Sequence, residues 1–304
     1  MKKKTGVRNI LLTGFFIFSL IFTPVINSQE STESATPETA TPEPTLKPYD
    51  PDLDFDKVFQ IYGEKQEDYD KAHDDYVLKK AQYLRFRTLK SQTDAIASTL
   101  TMLQKRDEVV IYFIKSLRAK LGGGIGISDA RREALNFRLE AEIFWFEGHK
   151  EKLTSAGSLD DLVRDSGEAA DRYDSRATLF YETLSVISLG KINDFKERIT
   201  DLFTNIKEKV EVIRKEERDE YKFSERKIQI LDRWTLESDN KIARGVEKQA
   251  AAEALTSNFQ SSGFDGALPH YDRILFTLGE AQLFYREGSS FLKEVVKEIT
   301  IAEE

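Results

Sequence analysis

The chain contains no cysteine and, between Pro51 and Pro269, no proline. Without cysteine the protein has no disulfide, no thiolate metal site, no thiol nucleophile and no site for lipoprotein acylation. Proline interrupts helices because it lacks the backbone N–H, so a long proline-free stretch rich in Glu, Lys, Arg, Ala and Leu favours helix almost throughout. No strand-like alternation of useful length accompanies it. We therefore expect an all-α fold.

Basic residues are fewer than acidic residues. The chain has 45 Lys and Arg residues against 53 Asp and Glu residues, which gives a net charge of −8. An acidic surface repels the phosphate backbone, so we do not expect a nucleic-acid partner. Hydrophobic residues make up 40% of the chain, which is enough to bury a core.

Only the N-terminus carries a long hydrophobic run. Lys2–Lys4 and Arg8 precede an apolar segment, residues 10–22, which is followed by Pro24 and the small residue Ser28. This layout predicts a signal peptide, residues 1–28, with cleavage after Ser28. An uncleaved anchor over residues 10–26 is the alternative, since this length is close to what spans a bilayer. Either interpretation predicts a secreted or extracytoplasmic protein, because a basic flank remains in the cytoplasm.

The next segment, residues 29–54, is a linker rich in Ser, Thr, Glu, Ala and Pro. Five prolines in this segment prevent either helix or sheet from propagating: Pro37, Pro42, Pro44, Pro48 and Pro51. We expect an extended, disordered linker, able to hold the folded part away from a membrane.

Residues 55–304 follow the heptad pattern of a helical bundle. The segment Phe55–Leu121 reads as one very long amphipathic helix of roughly 100 Å. Its seam begins with tyrosines at every seventh position, which we call the tyrosine ladder: Tyr62, Tyr69, Tyr76 and Tyr83. We expect a second helix to about Leu153 and a third from Ser158 to Gly190. A fourth, very long helix should run from Ile192 to about Leu255, and a fifth should begin near His270.

These elements predict an elongated antiparallel, coiled-coil-like bundle of about five helices, two of them very long. Ser128 or Asp129 should cap the second helix and Ser158 the third. Steps of three near Phe86 predict a local overwinding of the first seam.

Four features of the sequence have some likeness to functional sites. Gly122–Gly126 follows a helix rather than a strand and has no Lys-Ser/Thr after it, which favours a helix turn or hinge over a phosphate site. Asp70 and His73 have the spacing of a di-iron motif but lack its other ligands. The acidic residues here do not complete a calcium loop either, and they are Asp68, Asp70, Asp74 and Asp75. The tyrosine ladder and the aromatic run Phe144–Phe146 are predicted to be core. The alternatives are a ligand platform for the ladder and an exposed patch for a partner or lipid for the aromatic run. We predict no catalytic, cofactor-binding or metal-binding residue and no cofactor.

The architecture favours a secreted or surface-tethered, non-enzymatic helical bundle that acts as a spacer, scaffold or protein-partner-binding module at the cell envelope. We expect a protein partner at the cell surface and membrane contact only through the N-terminal segment. A heptad seam can pair with a helix of the same chain or with a helix of another copy, so the pattern is also compatible with a homo-oligomer. One alternative is a ligand-sensing or solute-binding domain with a pocket near Trp145 or Trp234. Another is a membrane-active protein with the apolar tip Leu121–Ile127.

Overall fold

A computed structural model describes residues 54–215, 223–259 and 263–301, and all regular elements within these ranges are helical. They comprise one short 3-10 turn, Leu153–Ser155, and six α-helices: α1 (Phe55–Phe86), α2 (Leu89–Gly122), α3 (Asp129–Lys152), α4 (Leu159–Arg214), α5 (Glu225–Ser257) and α6 (Gly263–Thr300). This confirms the all-α bundle. The predicted signal or anchor and almost all of the linker lie outside the described residues. Of the helices that are described, none has a stretch apolar and long enough to span a bilayer.

The prediction of one helix over Phe55–Leu121 is wrong, because the chain reverses between α1 and α2. Arg87 adopts a left-handed conformation with φ 50°, and its N–H donates to the Tyr83 carbonyl at 2.9 Å. Thr88 and Ser91 then form a capping box that begins α2. The two helices pack antiparallel, with Lys65 Nζ 3.2 Å from the Glu108 carboxylate. The short heptad steps near Phe86 mark this turn rather than an overwound seam.

The boundaries of α3 confirm the expected breaks. Helix α2 ends at the glycine run, and Ser128 occupies the N-cap position of α3, although its side chain makes no capping hydrogen bond there. The break at Thr154–Gly157 is also present, and the Ser158 hydroxyl accepts a hydrogen bond from the Asp161 N–H at 3.2 Å, which starts α4. Side-chain capping of this kind satisfies amide groups that have no partner inside the helix.

Gly190 does not end a helix, contrary to expectation. Helix α4 continues without interruption from Leu159 to Arg214, over 56 residues or about 84 Å. The predicted helix from Ile192 to Leu255 is correspondingly wrong: residues 192–214 belong to α4, and α5 begins at Glu225 after a Ser224 cap. The last helix starts at Gly263 instead of His270 and contains Pro269. Ala267, in this added turn, is completely buried in the core, which offsets part of the cost of the proline.

Helix α4 is shared by two groups of helices. Its N-terminal part packs with α2 and α3, and α1 covers α2; we call this group the first bundle. Its C-terminal part packs with α5 and α6 to form the second bundle. The first core centres on Ile114, Leu139 and Phe146, and the second on Leu231, Ile274 and Tyr285, all with 0% exposure. The long α4 therefore takes the place of the predicted pair of very long helices.

Candidate functional site

The interior of the first bundle contains a network of charged and polar side chains at the contact of α2, α3 and α4. We call it the buried polar network, and it consists of Arg106, Asp107, His149, Asp165 and Ser166, all of which are buried. Helix α2 contacts α1, α3 and α4, so residues on several of its faces lie inside the bundle. This is why two consecutive charged residues, Arg106 and Asp107, are both buried.

His149 is held at both ring nitrogens. Its Nδ1 lies 2.6 Å from Asp107 Oδ2, and its Nε2 lies 2.9 Å from the backbone carbonyl oxygen of Asp165. A carbonyl oxygen only accepts hydrogen bonds, so Nε2 must carry a proton. The contact between Nδ1 and Oδ2 is a second hydrogen bond, which joins the ring to the Asp107 carboxylate. The Trp145 ring stacks on the imidazole with centroids 5.1 Å apart, which fixes the ring plane.

Arg106 places a positive charge beside this pair. Its guanidinium donates to Ser166 Oγ at 2.8 Å and lies 3.5 Å from Asp107 Oδ1. Burial lowers the pKa of Arg106, whereas the Asp107 carboxylate acts in the opposite direction. Asp165 contributes a carboxylate that pairs with Lys152 Nζ at 3.1 Å. The buried charges of the network therefore compensate one another across three helices.

A second charged cluster joins α3 to α4 nearby. The buried carboxylate of Glu142 accepts two hydrogen bonds from Arg172, at 2.7 and 3.0 Å, and pairs with Arg176 at 2.8 Å. The Arg172 guanidinium also lies over the Trp145 ring, 5.3 Å from its centroid. Bidentate arginine–carboxylate pairs combine strength with a fixed orientation, so this cluster sets the register of α3 on α4.

The network contains the residue types that act in acid–base catalysis, but a substrate cannot reach them in this structure. A general acid or base must reach a substrate proton, directly or through one water. His149 is 4% exposed, Asp107 is 0% exposed, and both imidazole nitrogens already have partners. What this arrangement can do is fix the relative positions of three helices.

The loop between α2 and α3 contacts the second bundle through a chain of hydrogen bonds. Tyr285 OH donates to Gln249 Oε1 at 2.7 Å, Gln249 Nε2 donates to Asn193 Oδ1 at 2.6 Å, and Asn193 Nδ2 donates to the Gly126 carbonyl at 2.8 Å. We call this chain the junction relay. It connects α6, α5 and α4 with the loop that leads into α3.

Glycine makes the same junction sterically feasible. A Cβ atom on Gly190 would lie 2.3 Å from the Ile125 carbonyl oxygen, so only glycine permits this approach of loop and helix. Gly126 has φ +64°, a left-handed conformation that also favours glycine. A cleft of about 360 Å³ lies beside this contact and is lined by Gly126, Ile127, Ser128, Asn193, Lys196 and Glu197. The buried, close-packed face of Gly190 is the reason that it does not end α4.

The tyrosine ladder packs in a helix seam, as predicted, but the partner across that seam is α2, which was expected to continue the same helix. Tyr62, Tyr69 and Tyr76 are buried, and Tyr83 is half-buried. His73 lies between two of these rings, 5.8 Å from Tyr69 and 6.0 Å from Tyr76, while Asp70 is exposed. Among the residues with described positions, no group of three or more His, Asp and Glu side chains is placed to hold a metal ion.

The other predicted features divide between core and surface. The glycine run forms the helix turn that was expected, and Leu121 of the proposed apolar tip is completely buried. In the aromatic run Phe146 is buried and Trp145 half-buried, but Phe144 is 51% exposed, so the core prediction fails for Phe144. Trp234 stacks on Phe291 at 5.6 Å. The cleft at Gly126 is lined by neither tryptophan, and a sensory pocket near Trp145 or Trp234 stays a prediction.

Sequence reasoning missed the pairing of Asp107 with His149. The two residues are 42 positions apart and share no motif. One signal was available, since Asp107 occupies a position of the heptad seam at which apolar residues are expected. A charged residue at such a position is buried unless the seam is open, and a buried charge requires a partner.

Three buried tyrosines predict a loss of stability at alkaline pH. Burial raises the pKa of Tyr62, Tyr69 and Tyr285 to about 12, from 10.0 in an unfolded chain. Their stabilising effect is therefore complete below pH 10 and should be lost as the pH rises from 10 towards 12. Tyrosinate absorbance and circular dichroism, followed together against pH, measure this. Ionisation of all tyrosines near pH 10 with the helices intact would contradict it.

No protein-family model matches this chain, and neither a curated protein nor a solved structure matches it significantly.

Proposed function

We propose that the protein is a non-enzymatic scaffold or spacer of the cell envelope, secreted or tethered at the surface, that holds a protein partner. The observation that carries this proposal is the 56-residue helix α4, which runs unbroken through both bundles. A helix embedded in two cores bends only if packed contacts break, because protein interiors are close-packed. Such a helix keeps two binding surfaces at a fixed separation.

The contacts around α4 support a rigid joint. Within the first bundle, the buried polar network and the Glu142 cluster attach α2 and α3 to α4. At the boundary of the bundles, the close approach at Gly190 and the junction relay attach the α2–α3 loop to α4, α5 and α6. Motion of one bundle against the other would open this boundary and expose polar groups that now have partners.

The N-terminal segment supplies the location in this proposal. An export signal or anchor followed by the proline-rich linker of residues 29–54 would present the helical part outside the cytoplasm, at a distance from the membrane. The proposed partner is a surface protein, and a further copy of the chain is the alternative. The elongated form expected from the heptads belongs to the same proposal.

Spin-label distances test the rigid joint. Because the chain has no cysteine, Asp171→Cys and Glu208→Cys would provide the two attachment points, both exposed and on opposite sides of Gly190. We expect a narrow distance distribution near 55 Å, which is the separation along a straight helix at about 1.5 Å per residue. Pulsed electron paramagnetic resonance measures it.

A pair of labels within the first bundle, at Asp171→Cys and Asp70→Cys, is the matched control for label motion, since both positions are exposed. A distribution across Gly190 much broader than the control would count against the spacer function. A shift of the distance on addition of a small molecule would instead favour the sensory alternative.

A further inference from the structure

The turn between α1 and α2 carries a concentration of positive charge in an acidic chain. We call residues 77–93 the hairpin tip; it contains no Asp or Glu and lies between Asp75 and Asp94. Five basic residues occupy it, namely Lys79, Lys80, Arg85, Arg87 and Lys90. The whole chain has a net charge of −8, so this segment opposes the charge of the remainder.

The same tip exposes large apolar side chains. Five of them are at least half exposed: Val77, Leu78, Leu84, Phe86 and Leu89. Leu89 is the extreme case at 80% exposure. Other side chains make the contact between the two helices of the hairpin, since Tyr76 and Ser91 are buried there. The exposed apolar side chains therefore take little part in the packing of the hairpin and are available to a partner.

The tip extends beyond the other helices of the first bundle. Arg106 of α2 lies level with Ser166 of α4, to which it donates a hydrogen bond. Since α2 and α4 run parallel here, the start of α4 at Leu159 is level with about residue 99 of α2. Helix α2 begins ten residues earlier, at Leu89, so the hairpin continues for about 15 Å past the start of α4. The end of the hairpin therefore consists of α1 and α2 alone.

We propose that the hairpin tip binds the surface of an anionic lipid bilayer. A protruding end with exposed apolar side chains fits a bilayer, because Leu84, Phe86 and Leu89 can insert into its interface without a preformed groove in the partner. Lysine and arginine side chains reach from this depth to lipid phosphates. The acidic remainder of the chain is repelled by the same surface, which orients the protein tip first. This contact is additional to the N-terminal segment, and the scaffold proposal does not require it.

A fluorescent label at the tip detects contact between the tip and the bilayer in the full chain, because the dye responds to its local environment and not to the N-terminal segment. The single variant Leu89→Cys would carry an environment-sensitive dye, and Phe276→Cys in the second bundle, at a residue that is 70% exposed, is the matched control. With vesicles of phosphatidylglycerol and phosphatidylcholine we expect a blue shift of the dye at position 89 only. With vesicles of phosphatidylcholine alone, we expect no shift at either position.

A charge variant tests the electrostatic part. A variant with the tip label combines Lys79→Gln, Arg85→Gln, Arg87→Gln and Lys90→Gln. It should need a more than about tenfold higher concentration of anionic lipid for the blue shift of the dye, since each basic residue near an anionic surface favours binding several-fold. Helix content by circular dichroism verifies that this variant folds. The matched control neutralises four exposed lysines elsewhere, at Lys207, Lys209, Lys215 and Lys293, and should bind as the parent does.

Three results would overturn the proposal. The first is an equal shift with anionic and neutral vesicles. The second is the absence of a shift at position 89 with either. The third is a shift that appears without vesicles as the protein concentration rises, which would identify the tip as a contact between copies of the chain.

Discussion

Asp107→Asn should lower the free energy of unfolding by about 3–5 kcal/mol, because it removes the carboxylate that compensates two buried groups. His149 and Arg106 are 4% exposed, and both lie next to the Asp107 carboxylate, with Nδ1 of His149 2.6 Å from Oδ2. An amide has nearly the same volume as the carboxylate, so the loss reports charge and hydrogen bonding rather than a cavity. Urea unfolding followed by circular dichroism measures it.

Asp74→Asn, on the exposed surface of α1, is the matched control and should change stability by less than about 0.5 kcal/mol. A double-mutant cycle with His149→Gln separates the pair from the rest of the network. We expect the double variant to lose clearly less than the sum of the single variants, because either substitution alone already breaks the hydrogen bond. Additive losses would mean that Asp107 acts through Arg106 instead.

Gly190→Ala should lower the free energy of unfolding by about 1–3 kcal/mol, which is typical of an atom forced into a packed interior. The new Cβ would lie 2.3 Å from the Ile125 carbonyl oxygen and 2.6 Å from Ile127 Cγ1, so the α2–α3 loop has to move. Movement of the loop would also break the hydrogen bond from Asn193 to the Gly126 carbonyl, and with it the junction relay.

Gly167→Ala is the control with the opposite expected sign. Gly167 lies in the same helix and is exposed, and a Cβ there would meet no atom within 4 Å. Alanine favours helix over glycine by about 0.5–1 kcal/mol, so this variant should gain stability. Thermal unfolding of both variants in parallel gives the comparison. A gain for both substitutions would show that the loop does not press on Gly190.

Several elements followed from the sequence alone. The proline-free, heptad-patterned stretch determined an all-α bundle, and the buried positions of Tyr62, Tyr69 and Tyr76 followed from their spacing. The break at the glycine run and the Ser158 cap were also predicted correctly. These features are local: a cap, a glycine run or an apolar face depends on residues within a few turns of one another. The basic, acid-free composition of residues 77–93 is equally visible in the sequence.

The tertiary structure decided how these helices are connected and paired. A heptad seam shows which face of a helix is buried, but not which helix covers it, so the reversal at Arg87 and Thr88 was read as a continuous seam. Gly190 could end a helix or permit a close approach, and only the position of the Gly126 loop distinguishes the two. The contact of Asp107 with His149 likewise depends on the alignment of α2 with α3. The local pattern determined the helices, whereas contacts between residues distant in sequence determined the bundle.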